Sequence, residues 1–217
     1  YDDTYIYVAA KCIEDNPNHI IQTLKRDDEI WGSDGLAIIL DPVNQQTNGF
    51  VFFTNPLGVQ TEGLVTGNDD SGMSRDWDNK WLVETTQEEN GTWHMEMAIP
   101  FKTLRYDASL SEWGINFLRC DVGNNIYSTW AFIPLQLDGT DLGYMGSLVW
   151  DNPPKKTNSN VSIIPYVTGD VAQDYEDGAD GSPVLGYAAG LDAKVAITSS
   201  LNLDLTINPD FSQIEVD

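Results

Sequence analysis

Short segments of alternating apolar and polar residues dominate the chain up to about residue 150. Each is rich in aromatic and β-branched residues and bounded by Gly, Asn, Asp or Pro, a pattern typical of β-strands. The clearest are 5–10, 36–40, 50–53, 81–84, 93–99 and 113–118. Turn signals such as Asn90-Gly91 favour hairpins over parallel crossovers. The pattern predicts an all-β fold, an antiparallel jelly-roll-like β-sandwich over residues 1–151.

The pattern changes after residues 152–160, a Pro-, Lys- and Asn-rich stretch that indicates a linker. In the following segment, 161–217, apolar and polar residues alternate strictly over 191–198 and again over 201–208. Each run approaches the length of about 9 to 11 residues of a membrane-barrel strand, with one apolar face. An edge of the sandwich itself would show the same alternation. Both interpretations stay open.

The charge of the chain restricts its partners. Among 217 residues, 11 Lys and Arg stand against 34 Asp and Glu, which gives a net charge of -23. This acidity argues against nucleic acid and anionic lipid, and it suits Ca²⁺ or neutral polar ligands such as sugars. Because the chain begins at Tyr1 without an initiator Met, we expect a fragment or a processed product.

Several chemically distinctive residues lie in strand patterns and are predicted to be buried. Cys12 and Cys120 have no C-x-x-C or Cys/His spacing, which argues against zinc and redox motifs. Two thiols or one disulfide would fit, and thiols are slightly favoured because a bridge needs Cα atoms within about 7 Å. Trp81, Trp93 and Trp113 are expected in the core.

Catalytic motifs are absent from the sequence. His19 and His94 are the only histidines, and neither belongs to a G-x-S-x-G or H-E-x-x-H motif. His94 alternates with Met95 and Met97 and is predicted to face solvent. Glycoside hydrolysis needs two facing carboxyl groups about 5 to 9.5 Å apart, which a sequence does not reveal.

An ordered set of segments between Tyr5 and Trp150 resembles a family 9 carbohydrate-binding module. The most specific element is W-x-x-E-M-A-I-P-F-x-x-L ahead of W-G-I-N-F-x-R. The tail resembles the junction of a poorly characterised bacterial envelope family, in which such a module precedes an outer-membrane β-barrel. The matching segments are TYIYVAAKCIED, IWGSDGLAIILDP, GFVFFTNPLGVQTEG, DWDNKWLVETTQEENGTWHMEMAIPFKTL, WGINFLRCD and GSLVW, with SNVSIIPYVTGD and LNLDLTINPDFSQIEVD in the tail.

The resemblance implies a sugar site in which two tryptophans clamp a pyranose, whose apolar C–H faces stack on indole rings. Trp31 matches the first tryptophan and Trp130 the second. Trp77, in a loop between acids, is a third candidate stacking surface. Asp34 of W-x-x-D and Arg119 of W-G-I-N-F-x-R complete the predicted carbohydrate-binding residues.

One position departs from the family pattern. The family has an acid inside the central strand, six residues after the first tryptophan, and this position is Ala37 here. Alanine accepts no hydrogen bond from a sugar, so the family's recognition of a disaccharide at a chain end does not transfer intact. The loop from Ser128 to Met145 is also long and rich in Leu and Pro, which fits a role in burying Trp130.

Two clusters of acids and amides are candidate calcium sites, because Ca²⁺ takes six to eight carboxylate and carbonyl oxygens. Asp15 and Asn18 belong to the first, and Asp69 and Asp70 to the second. Neither has the spacing of the D-x-[DN]-x-[DN]-G loop. Solvated turns are the alternative explanation, because Asp and Asn commonly occupy turns.

Three hypotheses follow. The first is a non-catalytic carbohydrate-binding module of a bacterial cell-envelope protein, periplasmic or at the cell surface. Its partners would be an oligo- or polysaccharide and its own outer-membrane barrel, with a link to carbohydrate catabolism and Ca²⁺ as the sole expected cofactor. The second is a structural module that docks on a barrel or partner and has no sugar affinity. The third and weakest is a glycosyl hydrolase.

Overall fold

The protein is described here by a computed structural model that covers residues 1–14, 18–27, 31–67, 72–155, 161–173, 182–196 and 202–208. The chain divides into two compact units, Tyr1–Thr157 and Asn158–Asp217. Nearly all regular structure is antiparallel β-strand, which confirms the all-β prediction. None of the helices in the described ranges has the length and hydropathy needed to span a membrane.

The first unit contains two antiparallel sheets. Their strands are β1 (Tyr5–Cys12), β2 (Gly35–Asp41), β3 (Asn48–Thr54), β4 (Gln60–Thr66), β5 (Leu82–Gln87), β6 (Trp93–Pro100), β7 (Glu112–Asp121), β8 (Ile126–Thr129) and β9 (Gly146–Val149), with single 3₁₀ turns at Phe101–Thr103 and Leu142–Tyr144. The smaller sheet has the order β1-β6-β5, and the larger has the order β4-β3-β2-β7-β8. Strand β9 pairs with the beginning of β7, while β8 pairs with its end.

The main core lies between the two sheets and confirms the predicted sandwich. Ile38 and Phe52 of the larger sheet pack in one cluster with Met95 and Met97 of the smaller sheet. Trp81, Trp93 and Trp113 are buried in the same cluster, as the sequence predicts. His94 faces outward, also as predicted, and its Nε2 lies 2.7 Å from Glu88 Oε1.

A second apolar cluster covers the opposite face of the larger sheet. It contains Ala37 and Ile39 of β2, Phe53 of β3 and Leu118 of β7, and Leu142 of the second 3₁₀ turn packs against them. Every residue of β2 is consequently buried. A strand covered on both faces shows a continuous apolar run instead of alternation, which explains the sequence Leu36–Leu40.

The second unit is a three-stranded antiparallel sheet of β10 (Val161–Ala172), β11 (Val184–Ala196) and β12 (Asn202–Ile207). Ala193 lies opposite Ile163 and Leu205, so apolar side chains share one face. Exposed members of this face include Val167, Leu185 and Tyr187. Asp192 and Asp204 belong to the alternate positions, so the other face carries polar residues, with Ile164 among them opposite Asp192.

Both cysteines are buried free thiols, which confirms the slight preference for thiols. Cys12 lies in the main core and Cys120 in the second cluster, on opposite faces of the larger sheet. Burial raises the pKa of Cys12 to about 11 and that of Cys120 to about 12.

We therefore expect neither thiol to react with Ellman's reagent in the folded chain up to pH 9. Burial blocks access, and the raised pKa values keep the nucleophilic thiolate scarce. Absorbance should show two thiols reacting promptly only after denaturation. Prompt reaction of the native chain would contradict the burial of these residues.

Candidate functional site

A cleft of about 370 Å³ opens on the outer face of the larger sheet, the face that carries the second apolar cluster. Its strand wall is formed by Leu118 of β7 with Tyr127 and Thr129 of β8, which alternate onto the same face. The other wall is the loop of residues 133–139, and Trp31 completes the lining. We call this site the Trp31 cleft.

Trp31 and Tyr127 form a fixed aromatic pair in this cleft. Their ring centroids are 5.9 Å apart at an interplanar angle of 65°. The hydroxyl of Tyr127 donates a hydrogen bond to the backbone oxygen of Trp31 over 3.0 Å. Burial raises the pKa of Tyr127 above its ordinary value. Trp31 is nevertheless 37% exposed, which leaves ring surface for a ligand.

Asp34, three residues after Trp31, links two segments that are distant in the chain. Its Oδ2 accepts a hydrogen bond from the N–H of Ile20, and its Oδ1 accepts one from the N–H of Val122, each over 2.7 Å. The carboxylate is buried, and a carboxylate that receives backbone N–H donors in this way fixes the chain locally. Asp34, which the sequence predicts as a sugar contact, therefore holds the Ile20 and Val122 segments by hydrogen bonds and is not part of the cleft lining.

The family model described as "Carbohydrate family 9 binding domain-like" matches residues 1–136. The chain belongs to this family. A second model, described as "Domain of unknown function (DUF5916)", matches residues 157–217. None of the curated proteins matches the chain.

Solved structures of low sequence identity are similar to the chain. A Bacteroides uniformis protein described as carbohydrate-binding is 14% identical, with a TM-score of 0.53 over 68% of this chain and 74% of its own. A family 9 module from Caldicellulosiruptor kristjanssonii in complex with glucose is 14% identical, with a TM-score of 0.49 over 73% and 76% of the two chains. The same organism's family 9 module in complex with cellotriose is 13% identical, with a TM-score of 0.48 over 73% of each chain.

Trp130 lies on the opposite face of this family 9 domain's larger sheet. Thr129 points into the Trp31 cleft, so the next residue points away from it. The ring of Trp130 is 6.1 Å from that of Phe117 and covers Gly146, where an added Cβ would lie 2.1 Å from the indole. Although Trp130 is 61% exposed, it does not form the predicted clamp with Trp31.

Arg119 and Trp77 also lie away from the Trp31 cleft. Arg119 alternates to the face opposite Leu118, and its Nη2 donates to the backbone oxygen of Ile13 and to Glu14 Oε1 over 2.7 and 2.6 Å. Trp77 packs on the main core with its ring centroid 4.9 Å from that of Phe50. The sequence placed Trp77 in a loop but did not reveal this packing.

Tyr127 is the aromatic residue that sequence reasoning missed. It stands in Ile126–Thr129, a strand of only four residues after the turn at Asn124-Asn125. Its alternation was too short to be recognised as a strand. The signal that could have found it is that turn, which returns the chain as a hairpin from β7.

The calcium prediction concerns positions that the structure covers only in part. Asp15, Asp69 and Asp70 lie outside the described residues, and Asn18 is described with an exposed side chain. A different group, Asp27, Glu62 and Asp78, brings one carboxylate oxygen from each residue within 4.8 Å of the others.

Arg26 supplies positive charge to this second acidic group. It makes a short hydrogen bond to Glu62 and lies 3.5 Å from Asp78 Oδ1 and 3.4 Å from Asp27 Oδ2. Glu62 is fully buried and also accepts hydrogen bonds from Trp81 Nε1 and the Asn79 N–H, over 2.9 and 2.8 Å. The group is thus an ion-pair network around one guanidinium, in which Glu62 is buried and Asp78 is exposed.

Proposed function

We propose that this family 9 domain binds a neutral carbohydrate in the Trp31 cleft, as a non-catalytic module. The observation that carries the proposal is the fixed Trp31–Tyr127 pair at an apolar cleft on the outer sheet face. Sugars offer apolar C–H faces that stack on aromatic rings and a rim of hydroxyls for polar groups. Family membership supports the same ligand class.

The lining of the cleft suits a sugar better than a charged ligand. Ile133, Pro134 and Leu137 form apolar surface, and Thr129 and Asp138 provide oxygen atoms for hydroxyl groups. A net charge of -23 disfavours anions. Ala37 stands where the family pattern has an acid, and it belongs to the second apolar cluster. Recognition at this site therefore depends on stacking against Trp31 and on polar groups from β8 and the loop.

The test is isothermal titration of the full chain with glucose, xylose and their β-1,4-linked oligomers, in Ca²⁺ and in EDTA. Trp31→Ala should weaken binding by about tenfold or more, because loss of an aromatic anchor commonly costs at least about 1.4 kcal/mol. The matched control is Trp130→Ala, which removes an indole from the opposite face and should leave affinity unchanged. Equal losses in both variants, or no binding by the wild type, would refute the proposal.

A structural role at the bacterial cell envelope is the second candidate. It is favoured by the second unit, whose sheet exposes Val167, Leu185 and Tyr187 on one apolar face. Large exposed apolar patches commonly mark interaction sites, so this face suits docking on an outer-membrane protein. Two results together would favour this candidate over sugar binding. The chain would be recovered in the envelope fraction of a bacterial host, and isothermal titration would detect no heat of binding for any glycan.

A further inference from the structure

The loop after β8 carries the most exposed apolar side chain of the Trp31 cleft. Leu135 lines the cleft and is 98% exposed, whereas Ile133 of the same loop is buried. Single exposed leucines are common on protein surfaces and need no explanation by themselves. Leu135 differs from such residues because its loop is held in place and because it faces a cleft that already contains an aromatic pair.

Hydrogen bonds hold the loop on both sides of Leu135. The N–H of Leu137 donates to the Pro134 oxygen over 3.0 Å, which closes a tight turn around Leu135. Beyond the turn, Asp138 Oδ1 accepts hydrogen bonds from the N–H and the hydroxyl of Thr140, over 2.8 and 2.6 Å. Thr140 itself is buried. A loop fixed in this way is preorganised, which lowers the entropic cost of binding a ligand against it.

The loop and the Trp31–Tyr127 pair lie at different positions along β7. Tyr127 stands opposite Cys120 in the sheet. The loop crosses β7 two residues earlier, where an added Cβ on Gly139 would lie 3.2 Å from Leu118 Cδ1. Two residues along a strand correspond to about 7 Å. The aromatic pair and the apolar loop therefore bound the cleft from opposite ends of this stretch of β7.

We propose that Leu135 is the second stacking wall of the Trp31 cleft and selects sugars whose ring substituents are all equatorial. The inference rests on the proposed function. A pyranose ring held between Trp31 and Leu135 would meet an apolar surface on each face. When all substituents are equatorial, both ring faces present only C–H groups, which suit such surfaces. An axial hydroxyl would instead point at one wall, where it loses water without gaining a hydrogen-bond partner.

The proposal assigns an aliphatic wall to the place of the second tryptophan, which Trp130 does not provide. Leucine has no hydrogen-bonding group, so discrimination at this wall depends on shape and on desolvation alone. Glucose units in β-1,4 linkage have only equatorial substituents, whereas mannose and galactose units each have one axial oxygen. We expect a preference of about tenfold for glucose units, since a poor fit in an apolar site commonly weakens binding this much.

The experiment is isothermal titration of the full chain with three β-1,4-linked disaccharides, namely cellobiose, mannobiose and galactobiose. The wild type should bind cellobiose about tenfold more tightly than the other two. Leu135→Ala should weaken cellobiose binding about fivefold and reduce the preference to about threefold or less, because most of the apolar wall is removed. Leu135→Met restores an apolar side chain of similar volume and should keep both affinity and preference.

Phe132→Ala is the control for the loop. It removes another strongly exposed apolar side chain, 79% exposed and outside the lining of the cleft, and should bind all three disaccharides as the wild type does. The urea midpoint of Leu135→Ala should equal that of the wild type, because so exposed a side chain contributes little to folding stability. A change in binding then reports the wall itself.

The outcomes separate this inference from the proposed function. If none of the disaccharides binds the wild type, the proposed function fails and the second wall fails with it. If Trp31→Ala abolishes binding but Leu135→Ala leaves affinity and preference unchanged, only the second wall is refuted. A wild type that prefers mannobiose or galactobiose also refutes it, as does an equal loss for all three disaccharides in Leu135→Ala.

Discussion

Ala37→Asp should lower the free energy of unfolding of the first unit by about 3 kcal/mol or more, because the new carboxylate would be an unpaired buried charge. Ala37 is fully buried between Val51, Phe53, Leu118 and Cys120 on the outer face of the larger sheet. The substitution introduces the acid of the family pattern, but here the side chain would enter the second apolar cluster instead of a sugar site.

Urea denaturation followed by tryptophan fluorescence measures this effect, since all seven tryptophans belong to the first unit. The loss should shrink as the pH falls, because a buried carboxyl binds its proton more readily in the folded state than in the unfolded state. Ala9→Asp, on an exposed position of β1, is the matched control and should cost less than about 1 kcal/mol. Equal losses for the two variants would contradict the burial of position 37.

Arg26→Met should destabilise the first unit by about 2 to 3 kcal/mol, because it leaves Glu62 buried without its cation. The expected loss of unfolding free energy is smaller than that for breaking a fully buried ion pair, because the Arg26 side chain is 38% exposed. Because methionine retains an aliphatic stem, the loss of stability arises more from the missing positive charge than from missing packing contacts. The same fluorescence-detected urea titration measures it.

Two further variants identify the cause. Lys25→Met removes a neighbouring exposed cation and should change stability little, as surface substitutions generally do. In the double variant Arg26→Met/Glu62→Gln, the Glu62→Gln substitution should lower the free energy of unfolding by less than it does in the wild-type background. The reason is that a glutamine amide, unlike the buried carboxylate, needs no counter-charge. Strict additivity of the two substitutions would show that Arg26 and Glu62 do not interact.

The site was predictable where it depends on local sequence. Trp31 could be identified because it precedes Asp34 and a strongly apolar strand, and strand ends carry the loops that meet ligands. The structure retains Trp31 at a cleft. Tyr127 was not predictable in the same way, since its place beside Trp31 follows from the pairing of Ile126–Thr129 with β7.

The sequence by itself determined most strands of the sandwich, though not Ile126–Thr129, and the core tryptophans, because period-two alternation and turn residues act over a few neighbouring positions. Only the tertiary structure decided which residues share a face. Thr129 enters the Trp31 cleft and Trp130 points away from it, Asp34 holds two loops, and Ala37 lies under Leu142. These placements depend on which strand or loop lies opposite, and contacts between residues distant in the chain set that arrangement.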